Sequence, residues 1–203
     1  MNGRGGGRRR VEKSALLVPI KAFTAAKVRL APVLDADERA QLARHLADGV
    51  LRAAGALTVA VVCDDAEVAE WARAHGARVV WTPARGLNAA VSEGVAVLGS
   101  SGVELVTVAH ADLPLVTDLS DLARPDAVVL AADRHEDGTN VACVPARAGF
   151  RFSYGPGSLA RHVAEAARLG LPVEVLRRDD LAWDVDVPDD LGYMAGPVGP
   201  APA

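Results

Sequence analysis

The sequence predicts an α/β fold, with a mainly parallel central sheet and helices on both of its faces. Three observations carry that expectation. Short apolar runs alternate with helix-period segments at least four times along the 203 residues. Residues 103–109 form a nearly continuous apolar stretch rich in β-branched side chains, as a central parallel strand requires. Half of the residues are hydrophobic, enough for one full-sized core.

The elements follow in order. Residues 15–20 read as the first strand, and residues 21–32 as an extended loop with cations at Lys21, Lys27 and Arg29. Asp35 and Glu38 have capping-box spacing, and Leu42, Leu46, Val50 and Leu51 recur at helical period until Gly55. A strand at 57–63, a helix capped by Asp65 and stopped at Gly76, and a strand at 77–81 come next. Residues 85–90 lead into a helix that reaches Leu98. After the central strand, Pro114 ends the pairing, since proline has no amide to donate. A short acidic segment (117–122), strands at 127–132 and 141–145, and a helix at 159–169 with Ser158 as N-cap complete the middle of the chain. A strand at 173–176 and a further one carrying Asp184 and Asp186 close it. One domain is expected over 14–195, between a basic arm (1–13) and a Gly/Pro/Ala tail (196–203).

Composition excludes several classes. Aromatic residues make up only 4%, too few for a nucleic-acid surface built on stacking platforms. The net charge of −4 divides into an arm at +4 and a remainder with 17 basic against 25 acidic residues. The arm's Gly-Arg sequence fits disorder and is assigned no function. Cys63 and Cys143 lack paired spacing and fall in apolar runs, so buried thiols in a reducing compartment are expected. No run approaches the roughly 18 apolar residues of a membrane span. The expectation is a cytoplasmic protein without membrane or nucleic-acid partners.

The chemistry concentrates at strand ends. Asp112 lies just beyond the carboxyl end of the central strand, where open α/β sheets keep their ligands. Alternation puts Asp184 and Asp186 on one side of their strand, and three carboxylates from two strand ends suit a hard divalent ion. The plainer alternative makes Asp112 a turn cap and the later pair a solvated edge. No GxGxxG, GxxxxGK[ST] or GxSxG occurs, which disfavours dinucleotide binding, a P-loop and an α/β-hydrolase elbow.

Seven short motifs stand in one order: Val18-Pro19-Ile20-Lys21, Ala26-Lys27-Val28-Arg29-Leu30, Gly86-Leu87-Asn88, Ala111-Asp112-Leu113-Pro114, Asp137-Gly138-Thr139-Asn140, Gly155-Pro156-Gly157-Ser158 and Asp184-Val185-Asp186. In this the chain resembles the phospholactate/phosphoenolpyruvate guanylyltransferase family of coenzyme F-420 biosynthesis, over residues 15–192. His110 departs from the pattern, because relatives often carry a proline near that point. The resemblance implies a nucleotide-diphospho-sugar transferase (glycosyltransferase-A-like) fold and transfer of GMP from GTP to phosphoenolpyruvate or 2-phospho-L-lactate, with release of pyrophosphate. It implies magnesium at Asp112, Asp184 and Asp186, with Lys27 and Asp112 as the catalytic pair. Lys21, Lys27 and Arg29 become substrate and triphosphate contacts, and Asn88 a nucleotide contact. Thr139, Gly155 and Ser158 become contacts to the acceptor acid; a glycine turn at a helix N-terminus suits an anion on physical grounds too. The partners so implied are GTP and a small phosphorylated three-carbon acid. A homodimer, and hand-off of an unstable product to the next enzyme, are compatible with the resemblance. An ionised phosphate is itself a nucleophile, so the lack of a nucleophile–base constellation agrees with this chemistry. Another nucleotidyltransferase or a sugar transferase of the same fold, and a non-catalytic nucleotide-binding regulator, are the alternatives.

Overall fold

Residues 14–18 are buried without interruption, and the rest of the molecule is layered around them. In the computed structural model, which describes residues 13–83 and 85–194, they belong to β1 (Ser14–Pro19). The other strands are β2 (Thr58–Cys63), β3 (Arg78–Trp81), β4 (Leu105–Ala109), β5 (Val128–Ala132), β6 (Thr139–Pro145) and β7 (Val173–Leu176). They form one seven-stranded sheet in the order β3-β2-β1-β4-β6-β5-β7. All pairings are parallel except those of β6, which runs against both β4 and β5. The mainly parallel expectation holds. The reversal of β6 was not anticipated, because hydrophobic patterning carries no strand direction. The short loop 133–138 suffices for an antiparallel neighbour, whereas a parallel one needs a crossover of a dozen residues or more.

Three longer helices cover the first half of the sheet: α1 (Ala36–Arg52), α2 (Ala66–Ala74) and α3 (Leu87–Ser100). α4 (Ser158–Arg168) and the one-turn helices α5 (Asp179–Ala182) and α6 (Leu191–Met194) follow. The expected capping box opens α1: Glu38 N–H donates to Asp35 Oδ1 and Asp35 N–H to Glu38 Oε2, each at 2.8 Å. Asp65 accepts from Val68 N–H at 3.0 Å and caps α2, also as expected.

Period-two alternation divides the core into two. Leu16 and Val18 of β1 pack with Ala47 and Val50 of α1 and Val68 of α2. Ala15 and Leu17 face the other way, against Val91, Val95 and Leu98 of α3. Each such fully buried Leu or Val contributes about 1.5–3 kcal/mol. Gly94 lets α3 approach β1 closely, since a Cβ there would stand 2.7 Å from Leu17 Cδ2. Cys63 and Cys143 are buried free thiols, and no helix among the described residues is long and apolar enough to cross a membrane.

The chain runs outward from β1 through β2 to β3 and then returns to the far side of β1 as β4. The carboxyl ends of β1 and β4 therefore flank a switch in connection direction, where such sheets open a crevice.

Three local expectations are corrected. Residues 183–187 are extended but unpaired, so Asp184 and Asp186 do not sit on a strand. The loop 21–32 is not extended, because it folds into 3-10 turns at Phe23–Ala25 and Val28–Leu30. Ser158 is the first helical residue, not the N-cap; Gly157, left-handed with φ of 72°, occupies the cap position. Apart from Lys13, the arm at 1–13 and the tail at 196–203 lie outside the described residues.

Candidate active site

Every residue of β4 is buried, and the chain leaves it at His110, whose N–H donates to Asn140 O at 3.0 Å. Two residues on, Asp112 projects over the strand ends. Its Oδ2 accepts from Lys27 Nζ, while Oδ1 is buried with no hydrogen-bond partner among the described residues. A buried carboxylate oxygen left unpaired is costly, so this atom calls for a further cation or donor.

The partner segment lies across from it. Asp112, Asp184 and Asp186 each offer an oxygen within 4.8 Å of the others, so the three carboxylates that sequence singled out do converge. Burial, and then the charges of Asp112 and Asp186, push the Asp184 carboxyl above the usual carboxylate range; Arg134 and His110 oppose this more weakly. Three clustered hard oxygens, one unpartnered and one electrostatically strained, fit a divalent cation of the magnesium or manganese kind.

Lys27 is the basic counterpart. Its side chain is only 8% exposed, and Nζ donates to Val185 O at 2.6 Å as well as to Asp112. The backbone of Lys27 is left-handed, with φ of 55°, a conformation that costs a non-glycine residue roughly 1–3 kcal/mol. Anchoring at both ends of the ammonium offsets that strain. Arg29 is 73% exposed and reaches Asp186 Oδ2 at 2.6 Å. Both cations thus meet the acidic set from the turn at Val28–Leu30.

Beside these groups opens a cavity of about 500 Å³. Its wall includes Lys21 beyond β1, Cys63 at the end of β2 with Asp64 just past it, Thr82 beyond β3, and His110 beyond β4. Lys27, Asp112, Asp184 and Asp186 close one end; Gly86 and Leu87, at the start of α3, stand on another side. Helix N-termini attract anions through unpaired amides and the helix dipole.

The other sequence candidates lie outside that wall. Asn88 Oδ1 accepts from Tyr154 N–H at 2.6 Å, which ties α3 to the loop before α4. Thr139 is 1% exposed, and its hydroxyl meets His162 Nδ1 at 3.0 Å. His162 Nε2 accepts from Ser153 N–H at 2.9 Å, so the ring is neutral with its proton on Nδ1; burial first, then Arg161, lowers its pKa to about 4. Ser158 is 2% exposed. At the turn carrying Gly155, the chain supplies an anion of its own: Asp137 Oδ2 accepts from Gly157 N–H at 2.7 Å.

Sequence reasoning missed Arg134, Asp190 and His110. Arg134 Nη1 donates to Asp184 O at 3.0 Å and Nη2 to Asp190 Oδ1 at 2.8 Å. His110 Nε2 is buried without a partner among the described residues, its ring centroid 5.2 Å from that of Tyr154. The one available signal was Asp190 in Pro188-Asp189-Asp190, a proline-led turn that places a carboxylate near the preceding amides.

Sheet order, the carboxylate cluster and a facing lysine fit a nucleotidyltransferase on the nucleotide-diphospho-sugar transferase fold. A protein from Desulfovibrio desulfuricans G20, assigned as a nucleotide-diphospho-sugar transferase, superposes with a TM-score of 0.71 over 93% of this chain and 89% of its own, at 18% identity. The chain belongs to the family described as guanylyl transferase CofC like, whose profile matches residues 14–195. It is similar to the phosphoenolpyruvate guanylyltransferase of Sphaerobacter thermophilus, 39% identical over 90% of this chain and 94% of that one. The phosphoenolpyruvate guanylyltransferase of Roseiflexus sp. (strain RS-1) is 37% identical over 88% of this chain and 83% of its own.

Proposed function

We propose that this enzyme transfers GMP from GTP to phosphoenolpyruvate and releases pyrophosphate, as a step in coenzyme F-420 biosynthesis. The convergence of Asp112, Asp184 and Asp186 within 4.8 Å, beside Lys27 at the end of the cavity, carries the reading at the level of the site. Family membership supports the nucleotide and the acceptor. In the reaction a phosphate oxygen of the acceptor forms a bond to the α-phosphorus of GTP, and the bond from that phosphorus to the β-phosphate bridging oxygen breaks. Because the acceptor brings the nucleophile, the protein's task is positioning and charge compensation.

Asp112, Asp184 and Asp186 would hold magnesium, which when bound neutralises phosphate charge and polarises the α-phosphoryl group. Lys27, fixed on Asp112 and Val185 O, sets a positive charge beside the reacting phosphates. Lys21 and the α3 N-terminus line the cavity and are assigned to the triphosphate, and Arg29 joins the acidic set through its pair with Asp186. The resemblance alone assigns the turn with Gly155 to the acceptor; in the structure Asp137 holds its Gly157 N–H, and Thr139 and Ser158 are buried.

Incubation of the purified protein with GTP, magnesium and, in turn, phosphoenolpyruvate, 2-phospho-L-lactate and 3-phosphoglycerate tests the proposal by mass spectrometry of the products. Guanylylated phosphoenolpyruvate with stoichiometric pyrophosphate is expected. Pyrophosphate release with none of the three acids would contradict it.

A further inference from the structure

The segment bearing Asp184 and Asp186 has no strand partner, yet it must hold two like-charged ligands at close spacing. We infer that Arg134 and Asp190 are positioning residues that set this spacing for a divalent cation, an inference that rests on the metal reading above. Arg134 sits just past β5 and grips the segment at four points. Its own N–H donates to Ala182 O at 2.9 Å, and its guanidinium lies 4.6 Å from the centroid of the Trp183 ring. Nη1 donates to Asp184 O at 3.0 Å and stands 3.6 Å from Asp184 Oδ1, which places a fixed positive charge behind that ligand. Nη2 donates to Asp190 Oδ1 at 2.8 Å.

Asp190, 3% exposed, completes the clamp from the other side. Its second oxygen, Oδ2, accepts from Asp186 N–H at 2.7 Å and from Val187 N–H at 2.8 Å. One guanidinium–carboxylate pair therefore fixes the carbonyl of Asp184 and the amide of Asp186 together. Between them, Val185 N–H donates to Asp112 O at 3.2 Å, which registers the clamped segment against the end of β4. Neither clamp residue offers an oxygen to the three-carboxylate cluster itself. Outer-sphere partners of metal ligands typically change affinity or activity by roughly 10–100-fold when removed.

The chemistry makes Asp190→Asn a sharp test. Both carboxylate oxygens accept, one from Arg134 and the other from two amides. An amide of the same size has one acceptor and must turn its NH₂ toward donors on one side. Manganese binding to the full-length chain, followed by electron paramagnetic resonance, is the direct readout. Asp190→Asn is expected to weaken binding about 10–100-fold, while saturating metal restores much of kcat. Arg134→Lys keeps the charge, loses the fork, and is expected to weaken binding several-fold, so the test survives if the first variant does not fold. A merely structural role would lower the melting temperature and leave manganese affinity of the folded variants within twofold; that result would overturn the clamp. Wild-type protein and Asp112→Asn binding manganese equally well would instead overturn the metal reading beneath it.

Discussion

Asp112 and the pair Asp184 and Asp186 meet at one point but reach it by different physics. Asp112 follows β4, a strand paired on both sides and buried along its whole length, so the sheet itself sets its position. Asp184 and Asp186 ride an unpaired stretch whose position depends on side-chain bonds from Lys27, Arg134 and Asp190. A strand-borne ligand should tolerate changes around it, and its own substitution should act through chemistry. The loop-borne ligands should be sensitive to residues that never touch the substrate.

The largest effect falls on the strand side. Asp112→Asn should cut kcat/KM by more than about a hundredfold, beyond the roughly 10–100-fold typical of outer-sphere changes, with the circular dichroism spectrum unchanged. Near-normal turnover at saturating magnesium would remove Asp112 from the centre. Lys27→Ala breaks the bridge between the two regions, since one ammonium joins Asp112 to Val185 O. A hydrogen bond to a charged group is worth about 1.5–3 kcal/mol, so a fall in kcat/KM of about ten- to hundredfold is expected. A change within twofold would make Lys27 a mere decoration of the loop.

A pH test sharpens the comparison at the buried base of the Gly155 turn. His162 has its pKa lowered from 6.5 to about 4. Between those values the unfolded chain binds a proton that the folded chain refuses, so stability falls as pH falls through that window. The loss between pH 7 and pH 5 is about 2 kcal/mol. Urea denaturation at the two pH values should show it in the wild type and lose that part of it in His162→Gln; identical slopes would refute the assignment. The smallest effect belongs to Asn88→Ala. It removes one hydrogen bond to Tyr154 N–H and should cost about 1 kcal/mol of stability, with KM for GTP unchanged within twofold. A tenfold rise in that KM would move Asn88 onto the nucleotide.

The same contrast explains what was legible in the sequence. β1 and β4 could be read because burial on both faces demands unbroken apolar runs, and Asp35 and Asp65 because helix capping is a local rule. Asp112 was legible as the first acidic residue after such a run. The reversal of β6 was not, since alternation looks the same in either direction. Asp184 and Asp186 were paired correctly but placed on a strand, because extended backbone alternates whether or not it is hydrogen-bonded. Arg134 and Asp190 were missed because each reads as an ordinary surface charge; their roles depend on a contact spanning 56 positions in sequence. Ser158 was taken for the cap because serine often fills that role, whereas here Asp137, from a different loop, accepts from Gly157 N–H and the serine is buried.

The account stands on the claim that a sheet-borne and a clamp-borne set of carboxylates share one cation. Anomalous diffraction from crystals soaked with manganese and GTP measures this directly. The account predicts a peak within about 2.0–2.6 Å of oxygens from Asp112, Asp184 and Asp186 together. A peak bound to Asp112 alone, or one away from all three, would contradict it.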